Sequence, residues 1–433
     1  MEKCQKSFQN LRSQTDTAHL TAFEQLQRTL RLQIQAEIEL GILLQKGNRP
    51  ILAFSLSCKG GAQLYFQQRL SQYLREGHSV ILLMPNAYGT QIQLFWREFT
   101  TSFLTPDLDF LQKKEFEGIT KIVVNSLLPA NSFFHEEVSD PDQIKKLTDS
   151  ILNVKSRSGA LLEFCVHDYY PLCPYLNMLS EDLQLCDDRS ETECDQCIQK
   201  PRYAFYPHTP TFSIHQWRKE YLRLFQNCDR LLFFSEDTLA RYKRFLPELE
   251  EIAEQIELRP HKPIHSFAPL PLSGDQGMVI GVIGSISDQK GAAQVIALAN
   301  FLEERKLPAK LIVIGEMLTL LPKPPFLKIT GRYPHEKLPE IVLENHINVG
   351  WFPSVAPETF SFVAQEMMQM GIPSACFNIG APRDRFSKWE KGAIIPEMTP
   401  ESAWETLRKL YISHYQSNKD LDCGSEPGTA CLL

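Results

Sequence analysis

Runs of consecutive apolar residues alternate along most of this chain with stretches in which apolar residues recur every three or four positions. ILAFSLS (51–57) predicts a buried strand, CKGGAQ (58–63) a glycine-containing turn, LYFQQRLSQYLREGH (64–78) a helix that Gly77 is placed to end, and SVILLMP (79–85) a second strand. Strand, glycine turn, helix and strand make a βαβ unit, which predicts a parallel sheet. TKIVVNSLL (120–128), ALLEFCVHD (160–168) and DRLLFFS (229–235) repeat the theme, each ending in polar or small residues where the chain leaves the sheet. The stretch RPHKPIHSFAPLPLSGDQG (259–277) breaks the pattern and reads as an interdomain linker. A second series follows: strand MVIGVIGS (278–285), helix GAAQVIALANFLEER (291–305), strand AKLIVIGE (309–316), then FLKITGR (326–332), INVGWFPS (347–354) and IPSACFN (372–378).

The expectation is an α/β protein of two doubly wound, Rossmann-like domains: an N-terminal domain over 49–265 and a C-terminal domain over 266–415. Ligands in such sheets lie beyond the carboxyl ends of the strands, so a cleft between two facing domains is the natural site. Residues 1–48 are a separate helical extension with Phe23, Leu26, Leu30, Ile34 and Ile38 on one face, ended by Gly47 and Pro50. A helix packed on the next domain, a coiled-coil partner held through 1–45, and a connector remain open readings. Residues 416–433, with Asp, Gly, Ser and two Cys, read as a flexible tail.

Composition narrows the classes. The net charge of −7 argues against general nucleic-acid binding, which wants a basic surface. No apolar run approaches the ~20 residues of a membrane-spanning helix, and the start MEKCQKSFQN has no apolar core of a secretory signal. Eleven scattered cysteines then default to reduced thiols and a cytoplasmic location, with peripheral contact at the inner face of a membrane left open.

Candidate chemistry collects where strands end. PETFSFVAQE (357–366) places Glu358 at a loop or helix start and Glu366 about two turns later, with helix-start N–H groups that suit a diphosphate. GVIGSISDQKG (281–291) brings Lys290 as a point charge for departing negative charge. SCKGGAQ (57–63) offers Gly60 and Gly61 for close backbone approach, and CVHDYYPLCPYLN (165–177) offers His167 and Asp168 at a strand end. Each has a plain structural reading as cap, turn or surface charge. Cys173, Cys186, Cys194 and Cys197, in an insertion over 173–197, have spacing that suits a structural zinc; unligated thiols and disulfides are the alternatives. Arg332, in Thr330–Gly331–Arg332–Tyr333 after Gly315–Glu316, and the two arginines of FNIGAPRDR (377–385) are further candidates near strand ends.

The run WFPSVAPETFSFVAQEMMQMGIPSACFNIGAP resembles the donor-binding region of retaining GT-B glycosyltransferases, the family-four or group 1 type that includes many bacterial polysaccharide enzymes. The resemblance is close from Met278 to about Tyr411 and weaker over 51–240. It implies a GT-B fold and transfer of a hexose, with retention, from a nucleotide-sugar donor to a glycan or lipid-linked acceptor. By the same resemblance Glu358 contacts the donor sugar and Glu366 the ribose hydroxyls. The backbone of Thr359, Phe360 and Ser361 meets phosphate or sugar, Gly60 and Gly61 face the donor phosphates, and His167 lies near the acceptor. Arg332 lies in the region that meets the nucleobase. Similar cysteine-bearing insertions occur in a subset of these enzymes. One position departs from the pattern: Ser285 stands where many members carry Arg, so charge compensation falls to Lys290 or to Lys59, Arg332 or Arg383. That departure motivates an alternative, a catalytically inactive GT-B scaffold that binds sugar nucleotides or serves assembly. No Asp-x-Asp pair stands at a suitable strand end, so no cofactor is required for catalysis on this reading.

Overall fold

The computed structural model describes residues 40–41, 44, 49–55, 60–86, 89–96, 99–105, 108–128, 140–175, 177–180, 182–200, 212–263 and 266–416. The N-terminal extension, the tail and Lys59 thus lie almost wholly outside the described residues, as do the first positions of the SCKGGAQ turn. By contacts the chain divides into two compact units. The first runs through His261 and the second from Lys262, and the second also takes in the excursions Asn177–Asp187 and Ser235–Thr238.

The first unit holds an eight-stranded sheet: β1 (Ile51–Phe54), β2 (Val80–Asn86), β3 (Gly89–Trp96), β4 (Phe99–Thr105), β5 (Lys121–Val124), β6 (Leu161–Cys165), β7 (Arg230–Phe233) and β8 (Ile256–Leu258). Its order is β4-β3-β2-β1-β5-β6-β7-β8. The strands from β2 across to β8 pair in parallel, whereas β2–β3 and β3–β4 are antiparallel. That two-strand addition at one edge was not foreseen from the apolar runs. Its signal is alternation: Gln91 and Gln93 interleave with Ile92 and Leu94, the period of a strand rather than a continuous run.

Glycine position explains where the first helix starts. Gly61 opens the helix Gly61–Arg75, earlier than its apolar period indicates, and Gly77 at φ 82 follows its end. Arg69 on that helix ties it to the sheet: its guanidinium hydrogen-bonds Glu163 on β6 and the Tyr73 hydroxyl, while Lys121 Nζ reaches the other Glu163 oxygen at 3.1 Å. Glu163 is buried between two cations, which hold its carboxyl below its ordinary range against the opposing effect of burial.

The second unit holds six strands: β9 (Met278–Ser287), β10 (Ala309–Leu318), β11 (Lys328–Ile329), β12 (Val349–Phe352), β13 (Ser374–Phe377) and β14 (Gly392–Ile395). All pair in parallel, in the order β11-β10-β9-β12-β13-β14. Renumbered within the unit this is 3-2-1-4-5-6, the doubly wound dinucleotide-type order. Successive β9 residues feed two cores. Met278, Ile280 and Val282 join one with the helices Ala292–Glu304 and Pro400–Tyr415; Val279 and Ile283 join the other with Leu338–Glu344 and Phe362–Gln369. Burial on both faces is why these strands read as unbroken apolar runs. The acidic segment between the cysteines is held by the same means: Leu179, Leu183 and Leu185 of the Asn177–Asp187 excursion pack into the first of these cores.

Candidate functional site

In the second unit the strand order reverses between β9 and β12, and open α/β sheets bind ligands where the two loops diverge. Lys290 follows β9, in the one-turn helix Asp288–Lys290; Glu358 follows β12. Both loops are fixed to each other by backbone. The Gln289 carbonyl accepts from the N–H groups of Val355 (3.2 Å) and Ala356 (3.1 Å) and from the Ser354 hydroxyl (3.2 Å). Gly291, at φ 84, lies so close to Pro353 that a Cβ there would fall 2.0 Å from its carbonyl oxygen. The result is a Lys290 Nζ to Glu358 Oε1 separation of 3.9 Å. Burial raises the Glu358 carboxyl above its ordinary range, opposed by the Lys290 charge and a hydrogen bond from Ser361.

A third loop completes the cradle. Gly380 opens the helix Gly380–Phe386 at φ 68, where a Cβ would lie 2.7 Å from the Glu358 nitrogen, and the Ala381 N–H donates to the Glu358 carbonyl at 2.8 Å. Arg385 on that helix donates to the Ser361 carbonyl at 2.9 Å and stacks 3.7 Å over the Phe360 ring. Burial lowers the Arg385 guanidinium to about 10. Thr359 and Ser361 are buried, and the Ser361 hydroxyl accepts from the Ala364 N–H at 3.2 Å, capping the helix.

Of the two placings open for Glu358, the structure has the loop: the helix begins at Phe362, so Glu358 lies four residues before it and shares no helix with Glu366. Glu366 is instead buried on the helix and held by His335, whose Nε2 lies 2.8 Å from Glu366 Oε1. His335 stacks on Phe267 at 5.5 Å between ring centroids, and the Glu366 hydrogen bond raises its pKa. His335 was not singled out from sequence; its one signal is its place shortly after the β11 strand end. β9 continues two residues past the expected strand end, through Ser287, and Ser285, expected as the last strand residue, is an exposed strand residue registered against Glu316. The other cations are engaged elsewhere: Arg332 Nε pairs with Glu316 at 2.7 Å, and Arg383 NH1 with Asp384 at 3.2 Å.

The first unit has its own reversal, between β1 and β5, where Asn125 and His167 meet. Asn125 Nδ2 donates to Ser55 Oγ (3.0 Å) and the Ala62 carbonyl (3.2 Å), so its Oδ1 faces His167 Nε2 at 2.9 Å. Nε2 therefore carries the proton and Nδ1 is the acceptor nitrogen. The His167 ring stacks on Phe234 at 4.6 Å and meets Tyr65 and His261 edge-on. Burial first, then the Arg69 charge, lowers His167 to about 3, while burial pushes Asp168 up to about 6. A small cavity at these strand ends is lined by Ser126, Leu127, His167 and Asp168 among others. Gly60 has extended backbone (φ 165), and a Cβ there would meet nothing within 4 Å, so nothing among the described residues requires glycine at this position. Asn125 was overlooked, although TKIVVNS shows a polar residue where its strand stops.

Cys194 and Cys197 lie on one short helix, Glu191–Ile198, capped by Ser190. The Cys194 sulfur accepts from Arg218 at 3.7 Å, and burial raises its thiol pKa. Cys186 is grouped with the second unit and the other three with the first. Among the described residues no group of three or more His, Cys, Asp or Glu is gathered to hold a metal ion. Among the described residues no helix is long and apolar enough to cross a membrane.

Residues 271–423 match the model of the family described as Glycosyl transferases group 1, over the region that carries the resemblance in the sequence. The second unit is thus of the group 1 glycosyltransferase class. No curated protein matches the chain significantly. Solved structures similar to it include HepE of Anabaena in complex with UDP and glucose, 13% identical over 84% of this chain and 89% of that one, TM-score 0.48. Others are the catalytic domain of starch synthase IV from Arabidopsis thaliana bound to ADP and acarbose (11%, 87% and 94%, TM-score 0.43) and the lipopolysaccharide outer core galactosyltransferase WaaB (10%, 86% and 92%, TM-score 0.46).

Proposed function

We propose that this protein is a retaining glycosyltransferase that moves a hexose from a nucleotide-sugar donor to a glycan or lipid-linked acceptor. The observation that carries the reading is the Lys290–Glu358 pair, 3.9 Å apart, at the strand-order reversal of a 3-2-1-4-5-6 sheet. As the bond from the anomeric carbon to the diphosphate breaks, negative charge grows on the leaving oxygens and positive charge on the sugar ring. Lys290, exposed enough to meet a ligand, offsets the first, and the N–H groups opening the Phe362 helix add to it. Glu358 is anchored on both sides of its backbone and orients the sugar. Glu366, held by His335, is the candidate for the ribose hydroxyls. His167 donates through Nε2 to Asn125 and is too weak a base near neutral pH to take a proton; it polarises or positions an acceptor hydroxyl, and the departing diphosphate takes the proton instead.

A donor panel scored by nucleoside diphosphate release tests this. Turnover with at least one donor is expected, and Glu358→Ala is expected to lower kcat/KM by about a hundredfold or more with an unchanged circular dichroism spectrum. Full activity in that variant refutes the assignment. A second reading, a scaffold that binds sugar nucleotides without turnover, is favoured by the charge count: Arg332 and Arg383 are paired with other acids, which leaves Lys290 as the cation paired with Glu358. Calorimetric binding of a donor with no release of diphosphate supports that reading over the first.

A further inference from the structure

The chain between β10 and β11 is pinned at both ends and bare in the middle. Met317 and Leu327 are 5% and 7% exposed and belong to the same core of the second unit. Between them Leu318, Leu320, Leu321 and Phe326 are exposed, Leu320 completely. They are four of the nine exposed large hydrophobic side chains among the described residues, gathered within nine residues from the last position of β10 into the loop that follows.

The backbone of the loop suits an apolar environment. Pro322, Pro324 and Pro325 fix φ and carry no N–H. The Leu321 N–H donates to the Thr319 hydroxyl at 3.1 Å and the Leu327 N–H to the Pro324 carbonyl at 3.1 Å. Three of the nine positions thus have no N–H to lose water, and a proline-stiffened loop has little conformational freedom to give up. The charge pattern names the partner. No Asp or Glu occurs from Met317 to His335, while Lys323 and Lys328 are exposed, on a chain whose net charge is −7. Apolar tips with flanking lysines match acyl chains beneath anionic headgroups. A second copy of the chain fits less well: a narrow loop of nine residues buries far less than the ~1,200 Å² or more of a stable dimer.

We propose that Leu318–Phe326 is a docking loop for a membrane surface bearing anionic lipids. It inserts Leu320, Leu321 and Phe326 to the headgroup–acyl boundary while Lys323 and Lys328 meet phosphates. The test is flotation of the full chain with vesicles of about 70% phosphatidylcholine and about 30% phosphatidylglycerol, against phosphatidylcholine alone. Binding to the anionic vesicles is expected to be roughly tenfold stronger than to neutral ones. Combined Leu320→Ser, Leu321→Ser and Phe326→Ser should lower it by about tenfold or more. Because all three side chains are exposed, the thermal midpoint should not move. Leu320→Trp supplies a second readout, a blue shift of its emission on addition of anionic vesicles. Absence of wild-type binding, undiminished binding by the triple variant, or a wild-type dimer that the triple variant dissolves without any vesicle binding would each overturn the proposal.

Discussion

The two strand-order reversals of this molecule use the same topology for opposite electrostatics. In the second unit charged groups stand at the loops: Lys290 beside Glu358, and His335 beside Glu366. In the first unit the corresponding place holds Asn125 and a His167 that burial keeps neutral, packed among Tyr65, Phe234 and His261. Topology therefore selects where a ligand can bind, and the side chains at the loops select its charge. On the proposed function, the diphosphate goes with Lys290 and the acceptor hydroxyl with Asn125 and the neutral His167.

The strongest way to break the contrast is to destroy the charged crevice through its backbone. Gly291→Ala puts a methyl against the Pro353 carbonyl at positive φ, and a loss of about 2–4 kcal/mol in denaturant unfolding is expected. Nucleoside diphosphate binding should be lost with it. Next in size is a direct comparison of the two crevices. Lys290→Met should weaken nucleoside diphosphate binding by about tenfold to a hundredfold in calorimetry. His167→Gln should leave that affinity within about twofold while lowering transfer. If His167→Gln weakens the diphosphate as much as Lys290→Met does, the division of labour is wrong.

Proton linkage offers a subtler test. Between about pH 6 and pH 4 the folded first unit carries one proton on Asp168, while the unfolded chain carries one on His167, whose ordinary value is about 6.5. Folded and unfolded states then bind equal numbers of protons at this pair, and its net effect on stability is flat. Asp168→Asn removes only the folded-state proton, so stability in that variant should fall as pH drops from about 6.5 toward 4. A wild-type-like flat profile in the variant counts against the buried neutral histidine. The smallest effect is at His335. Its raised pKa gives a stabilisation fully present below about pH 6.5 and lost as pH rises through its folded value. Because the ring is partly exposed, His335→Gln should remove under about 1 kcal/mol of that dependence in thermal melts across pH.

Much of the fold was legible because parallel strands buried on both faces leave unbroken apolar runs, as in MVIGV and LIVIG. The antiparallel pair β3–β4 escaped because alternation, not a run, marks a strand with one polar face. At the candidate site, Glu358 and Lys290 were legible as an acid and a lysine in loops after strands, and Glu366 as an acid on the helix that follows. Their true partners could not. His335 lies 31 residues from Glu366, Gly380 closes on Glu358 from another loop, and Arg385 stacks on Phe360 across 25 residues.

By itself, then, the order of apolar runs, glycine turns and helical stretches determined two α/β series and named the residues at their strand ends, because periodicity and turn chemistry are local properties of a chain. Which loop meets which, and therefore that Glu358 faces Lys290 while Glu366 faces His335, was decided only by tertiary structure. Those pairings depend on the order in which strands assemble into the sheet and on backbone contacts between loops distant in sequence, and no local pattern records either.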